Sequence, residues 1–237
     1  MASHVALPRE GYLEMLYRIF AHLKKHRNVE MGFDPSKPSI KNNVFERKDW
    51  SCSEFSSTIK KECELHPRTH APRGMGFAVV GKVDVDHDGD TVVRRSRTGF
   101  IVHLNSALVC LYSKKQNSVE ASSFGSKFIA MKQLCDCIQG LAYKLRMMGI
   151  AHEGRTCLCG GNQSMLVNTT TTDFTLKKKS SSLAYHFIRE GVAIDDWRTA
   201  YVNANDNETN LLTKILPFGE KRRKFVRKEL MHIYGSC

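Results

Sequence analysis

Residues 121–148 carry apolar side chains at helical spacing along their whole length: Phe124, Phe128, Met131, Leu134, Cys135, Ile138, Leu141 and Leu145. Gly149 follows as the stop. A helix this long with one apolar face needs a surface to lie on, and strand-like runs flank it on both sides. Three precede it, at about 76–85, 98–104 and 107–113, the last two joined by the turn pair Asn105 and Ser106. Two follow it, RTCLC at 155–159 and WRTAYVN at 197–203. Further helical segments are predicted near 163–168, near 179–193, and at 207–234 with a break at Pro217 and Gly219. This order predicts an α/β fold. A three-stranded meander is extended by two strands that return through helices, giving a mixed five-stranded sheet with helices on its faces.

The N-terminal part reads differently. Residues 9–27 place Tyr12, Met15, Leu16, Ile19, Phe20 and Leu23 on one helical face, which predicts a packing helix. Residues 28–75 hold four of the six prolines and read as an irregular connector. Within it Cys52, Cys63, His66 and His70 match no common zinc spacing. The chain therefore divides into a connector, 1–75, and a folded domain, 76–237.

The stretch VDVDHDGDTVV, 83–93, alternates Asp84, Asp86, Asp88 and Asp90 with other residues. Its first half matches a calcium loop. The twelfth position, which needs a bidentate glutamate, is Arg95, and strands rather than helices flank it. The stretch is better read as a strand ending at Asp84, followed by a polar turn.

The formal net charge is +12, which favours polyanionic partners and nucleic acid above all. The cations cluster at 94–97, 114–115, 177–179 and 221–224. No apolar run is long enough to cross a membrane, and the N-terminus lacks the form of a secretion signal. Eight cysteines without such a signal are expected to be reduced thiols in an intracellular protein. The pairs Cys135/Cys137 and Cys157/Cys159 are each one residue short of redox spacing and are expected to pack. His186 is expected to be structural or at the surface.

Five segments together resemble a known family: RRSRTGF, YSKKQNSVEASSFGSKFIAMK, NQSMLVN, LKKKSSSLAYHFIREGV and NETNLLTKILP. In this order they are similar to the RNase H domain at the C-terminal end of copia-type LTR retrotransposon Pol polyproteins, with a flavour of diatom and algal elements. ALPREGYLEMLYRIFAHLKKH and FDPS resemble the segment that joins the polymerase to that domain, so the resemblance covers nearly the whole chain. No Y-x-D-D occurs, so the polymerase palm motif is absent and the chain reads as a tail piece of Pol.

The resemblance implies an RNase H-like fold, cleavage of RNA in RNA–DNA hybrids, and two magnesium ions held by four carboxylates. Carried over position by position, the first carboxylate is Asp84. The second, a glutamate in FGSEF, is replaced by Lys127 in FGSKF. The third, an aspartate before NQS, is replaced by Gly161. The fourth, an aspartate before LLTK, is replaced by Asn210. The exchanges add one, two and one positive units at Gly161, Lys127 and Asn210. They predict a domain that has lost two-metal hydrolysis, with Asp84 the surviving ligand and magnesium, although implied by the family, not held. Arg95, Lys114 and Lys115 flank the strand ends nearest Asp84 and are the expected phosphate contacts for an RNA–DNA hybrid or other nucleic acid. The alternatives are a binding module without catalysis and an active hydrolase with a rearranged site.

Overall fold

The computed structural model describes residues 10–30, 32–38, 48–56, 67–87, 89, 94–172, 182–214, 216–217, 219–229 and 231–232. In chain order the elements are α1 (Glu10–Lys25), β1 (Val29–Glu30), β2 (Arg73–Phe77), β3 (Val79–Asp86), β4 (Arg97–Leu104), β5 (Ala107–Lys115), α2 (Ser123–Met147), β6 (Ile150–His152), β7 (Thr156–Gly160), α3 (Gln163–Thr170), α4 (Ser182–Ala193), β8 (Trp197–Tyr201), α5 (Asn210–Thr213), α6 (Glu220–Glu229) and β9 (Met231–His232).

The main sheet has the order β5-β4-β3-β7-β8. Strands β3, β4 and β5 pair antiparallel, whereas β7 and β8 add parallel to β3. This is the mixed five-stranded α/β sheet expected from the sequence. The hairpin turns at Asn105, which takes a positive φ of 54°. Its side chain explains the residue choice: the amide accepts from the Ala78 N–H at 2.9 Å and donates to the Pro35 carbonyl at 3.0 Å.

Helix α2 lies across one face of the sheet, with Phe128, Met131, Leu134, Cys135 and Ile138 buried in the core. Gly81 allows the close approach, since a Cβ there would lie 2.9 Å from Leu134 and Ile138 methyl carbons. Gly149, at φ 74°, ends the helix in the left-handed region that glycine adopts without a Cβ penalty. Helix α4 packs beside α2, and Gly191 makes room for the Trp197 ring.

Several expectations are corrected. Of the predicted apolar face of α1, Met15, Ile19, Phe20 and Leu23 are exposed among the described residues, whereas Tyr12 and Leu16 are half-buried. An amphipathic repeat specifies a face but not what covers it. The connector holds two short strands. Strand β1 pairs antiparallel with β9, and β2 pairs parallel with β6. The first predicted strand is split at Ala78, and β3 runs two residues beyond Asp84. The region 207–234 contains two helices and a short strand.

The connector also reaches the core. Trp50 is buried, and its ring and that of Phe55 lie 5.1 and 5.7 Å from the guanidinium of Arg189 on α4. Of the residues weighed for zinc, Cys63 and His66 lie outside the described residues. Among the described residues no helix is long and apolar enough to cross a membrane.

Candidate functional site

Asp84 lies near the C-terminal end of the central strand β3, where the parallel strand β7 also ends and α3 begins. Its side chain is 11% exposed. Oδ2 accepts hydrogen bonds from Thr213 Oγ1 at 2.8 Å and from Lys214 Nζ at 2.9 Å.

The segment 207–214 brings both donors here by a chain of local bonds. Asn207 donates through Nδ2 to the Val83 carbonyl at 3.1 Å. Its Oδ1 accepts from the hydroxyl and amide of Thr209 at 2.6 and 3.3 Å. Gly99 on β4 lets α5 sit against the sheet, because a Cβ there would lie 2.6 Å from Thr213 Cγ2. Ser113 of β5 donates to the Leu212 carbonyl at 2.6 Å. Asn210 is buried; its Nδ2 donates to the carbonyls of Ala204 and Asn207 at 2.7 and 2.9 Å, and its Oδ1 accepts from Lys214 Nζ at 2.9 Å.

Glu208 anchors the same segment from below. Its side chain is 1% exposed and is held by Lys82 Nζ at 2.8 Å and by Lys228 of α6. Burial pushes its carboxyl up, but the Lys82 charge and the bonds from Lys228 and Lys82 hold it below the usual value.

Lys127 comes from the second turn of α2. Ser122 caps the helix, accepting from the Gly125 amide at 3.2 Å. Gln116 fastens its start, donating to the Ser126 carbonyl at 2.7 Å and to Thr98 Oγ1 at 3.1 Å. His87 Nδ1 lies within 3.2 Å of the hydroxyls of Ser96 and Ser126, tying the turn after β3 to the helix. Burial pushes the Lys127 ammonium below its ordinary pKa; the Asp84 charge opposes this and the Lys214 charge adds to it.

Asp84, Lys127 and Gly161 line one small, partly open pocket, together with Val83, Val85, Gly160, Asn162 and Met165. Gly161 leaves space in it. A Cβ there would lie 3.8 Å from Asn207 Nδ2 and 4.0 Å from Asp84 Oδ1, in ordinary contact. Asn162 caps α3, accepting from the Met165 amide at 2.9 Å.

Asp84, Lys127, Gly161 and Asn210 are thus brought together, Asn210 through Lys214. The three expected phosphate contacts are not gathered in the same way. Strand register sets Lys115 opposite Arg97, itself opposite Asp86, so Lys115 shares the face of Asp84. Lys114 projects from the other face, by the same alternation. Arg95 is exposed ahead of β4. Asp88, Asp90 and the run 177–179 lie outside the described residues. Among the described residues no group of three or more His, Cys, Asp and Glu is placed to hold a metal ion.

Lys214, Thr213, Asn207 and Glu208 were not singled out by sequence reasoning. The motif NETNLLTK marked their segment, but nothing in a linear spacing shows which of its side chains meet β3 from the far end of the chain.

No family model matches the chain. In sequence it is similar to the retrovirus-related Pol polyprotein from transposon TNT 1-94 of Nicotiana tabacum, 26% identical over 157 residues, 66% of this chain and 11% of that protein. It is similar also to the retrovirus-related Pol polyprotein from transposon RE2 of Arabidopsis thaliana, 29% identical over 133 residues, 56% of this chain and 9% of that protein. The chain therefore spans about a tenth of the length of these relatives. Among solved structures, RNase H1 from the halophilic archaeon Halobacterium salinarum aligns with a TM-score of 0.45 and 14% identity, covering 57% of this chain and 94% of that one. LC11-RNase H1 in complex with an RNA/DNA hybrid aligns with a TM-score of 0.46 and 9% identity, covering 57% and 93%. The sequence relatives agree with the resemblance to transposon Pol polyproteins drawn from the five motifs.

Proposed function

We propose that this chain is the RNase H-like part of a transposon Pol polyprotein, that its ancestral reaction is cleavage of RNA in RNA–DNA hybrids, and that it no longer performs it. In this reading residues 76–237 are the domain and 1–75 the connector. Asp84, Lys127, Gly161 and Asn210 stand at the positions of the four carboxylates.

The observation that carries the reading is the placement of Lys127 beside Asp84 in one pocket, with Lys214 already bonded to Asp84 Oδ2. Magnesium takes hard oxygen ligands, one or two of them carboxylates, and the family pattern holds its two ions with four carboxylates. Here one carboxylate is shared with an ammonium, a glycine offers no side chain, and the Asn210 amide is turned to two backbone carbonyls. A divalent ion about 4 Å from an ammonium is repelled by roughly 8 kcal/mol at an effective dielectric near 20. The donor set does not fit a pair of magnesium ions, and no hydrolytic step is derived through them.

The test is hydrolysis of an end-labelled RNA–DNA hybrid in magnesium or manganese, for the chain as given and for Lys127→Glu/Gly161→Asp/Asn210→Asp. An inert parent and a cutting revertant support the reading. A parent that cuts, with Asp84→Asn abolishing the cut, overturns it in favour of a rearranged site.

A further inference from the structure

We propose that Cys110 and Cys137 form a two-thiolate site for a soft monovalent metal ion of the copper(I) class. Cys110 belongs to β5 and Cys137 to α2, and their sulfurs lie 3.9 Å apart. Both are free thiols, half-buried, and packed against the main core. Half-burial leaves them within reach of solvent.

An irregularity in the sheet brings them together. His103 pairs with Leu108, but the next step along β4 pairs Val102 with Cys110, so Val109 is an extra residue. In a regular ladder Val109 would stand opposite Val102, on the face that α2 covers, and Cys110 would point away. The extra residue turns Val109 outward, where it is 37% exposed, and sets Cys110 beneath the helix. Cys137 follows Leu134 by three positions and precedes Leu141 by four, on the flank of the helix face that meets the sheet.

The separation selects the ligand. Two metal–thiolate bonds of about 2.3 Å meet at one ion at roughly 116° when the sulfurs are 3.9 Å apart. One ion therefore fits between the sulfurs where they stand, whereas a disulfide needs them about 2.05 Å apart. Zinc takes four ligands, and among the described residues no third His, Cys, Asp or Glu joins the pair. Copper(I) favours thiolate sulfur and does not need a full tetrahedron. Each thiol gives its proton to solvent and the sulfur bonds the metal instead; no electron is transferred. Two thiolates and one monovalent cation sum to one negative unit. Lys144, two helical turns after Cys137, supplies the opposite charge. Burial and the neighbouring Cys110 push the Cys137 thiol up to about 11, and the Lys144 charge acts against them.

The test is anaerobic titration of the full, reduced chain with copper(I) against a chromogenic copper(I) chelator, with silver(I) as a redox-inert second probe. The tightest ion is expected to be held by the pair. Cys110→Ser and Cys137→Ser are each expected to weaken it by at least about a hundredfold, because the second thiolate of a chelate acts at high effective concentration. The double variant is expected to be no weaker than either single one. Cys52→Ser, which removes an exposed thiol outside the pair, is expected to bind as the parent does. The thermal unfolding midpoint is recorded with and without the ion, and Cys110→Ala and Cys137→Ala repeat the comparison without a buried hydroxyl. The midpoint is expected to rise with copper(I) in the parent and not in the variants. A folded single variant that keeps the parent's affinity overturns the proposal. So does a parent stabilised by zinc as much as by copper(I), since that requires further ligands from the chain.

Discussion

Lys214 Nζ lies 2.9 Å from Asp84 Oδ2 and 2.9 Å from Asn210 Oδ1, joining a central strand to a helix 130 positions away in the chain. The lysine is 42% exposed and the aspartate 11%. Solvent screens the pair, so its coupling is modest, on the order of 1 kcal/mol. A double-mutant cycle with Asp84→Asn and Lys214→Met, read by urea unfolding, is expected to give a coupling of that size. A coupling indistinguishable from zero rules out a persistent pair in solution.

Reversion of the pocket is not symmetric among its positions. Gly161→Asp is expected to change stability by under about 1 kcal/mol, because the new Cβ meets only ordinary contacts. Asn210→Asp is expected to cost about 1–3 kcal/mol. Its amide donates to the Ala204 and Asn207 carbonyls, and a carboxylate would leave both unmet and face them with like charge. Chemical denaturation of each single variant checks the order. Equal costs would show that the Asn210 amide is not held as described. The same comparison selects Lys127→Glu/Gly161→Asp as the better-folded background in which to look for regained manganese binding by thermal shift.

The fold and the site were legible to different degrees. Helix α2 and the β4–β5 hairpin were readable because their periodicities are long and their turn residues carry their own chemistry, as with Asn105 and Gly149. The face of α1 was equally readable, yet its burial was not, since amphipathicity in one segment contains no information on a partner. Strands β1, β6 and β9 span only two or three residues, too few to show a period. The positions of Asp84, Lys127, Gly161 and Asn210 came from family motifs. Lys214 at Asp84 and Lys82 at Glu208 arise from topology, which alone joins sequence-distant charges.

Arg189 shows how far the connector is committed to the domain. Its side chain is 1% exposed. It donates to the carbonyls of Asn168, Thr171 and Thr172 at 3.1, 2.6 and 2.8 Å. Its guanidinium also lies 5.0 Å from the Tyr185 ring centroid and 5.1 Å from that of Trp50. Arg189→Met is expected to cost about 3–5 kcal/mol, since three carbonyls lose a charged donor in a buried place. Arg189→Lys is not expected to rescue it, because an ammonium cannot span the three acceptors or stack on the rings as the planar fork does. Trp50→Ala is expected to cost a further 3–5 kcal/mol on its own. Unfolding of all three by denaturant provides the check; a Trp50→Ala variant as stable as the parent would detach the connector from the core.

Acid should loosen the molecule through two buried carboxylates. Burial pushes Asp195 up, yet the bonds from Arg198 and Arg155 outweigh this and hold it below its ordinary value of 3.8. Glu208 is likewise held below 4.5, with Lys82 and Lys228 overcoming burial. For a carboxyl depressed in the folded state, the unfolded chain takes up the proton first as pH falls. Its stabilising contribution is therefore whole above the unfolded value and is lost as pH falls through the lower, folded one. The contribution of these two groups is expected to be flat above about pH 5.5 and to decline below 4.5 for Glu208 and below 3.8 for Asp195. Other carboxylates titrate in the same range, so the assignment rests on variants. Glu208→Gln should be less stable than the parent at neutral pH, and the gap should narrow as the parent is acidified. A gap that stays constant from neutral pH to about pH 3 would show that Glu208 is not ionised between its two lysines in the folded protein.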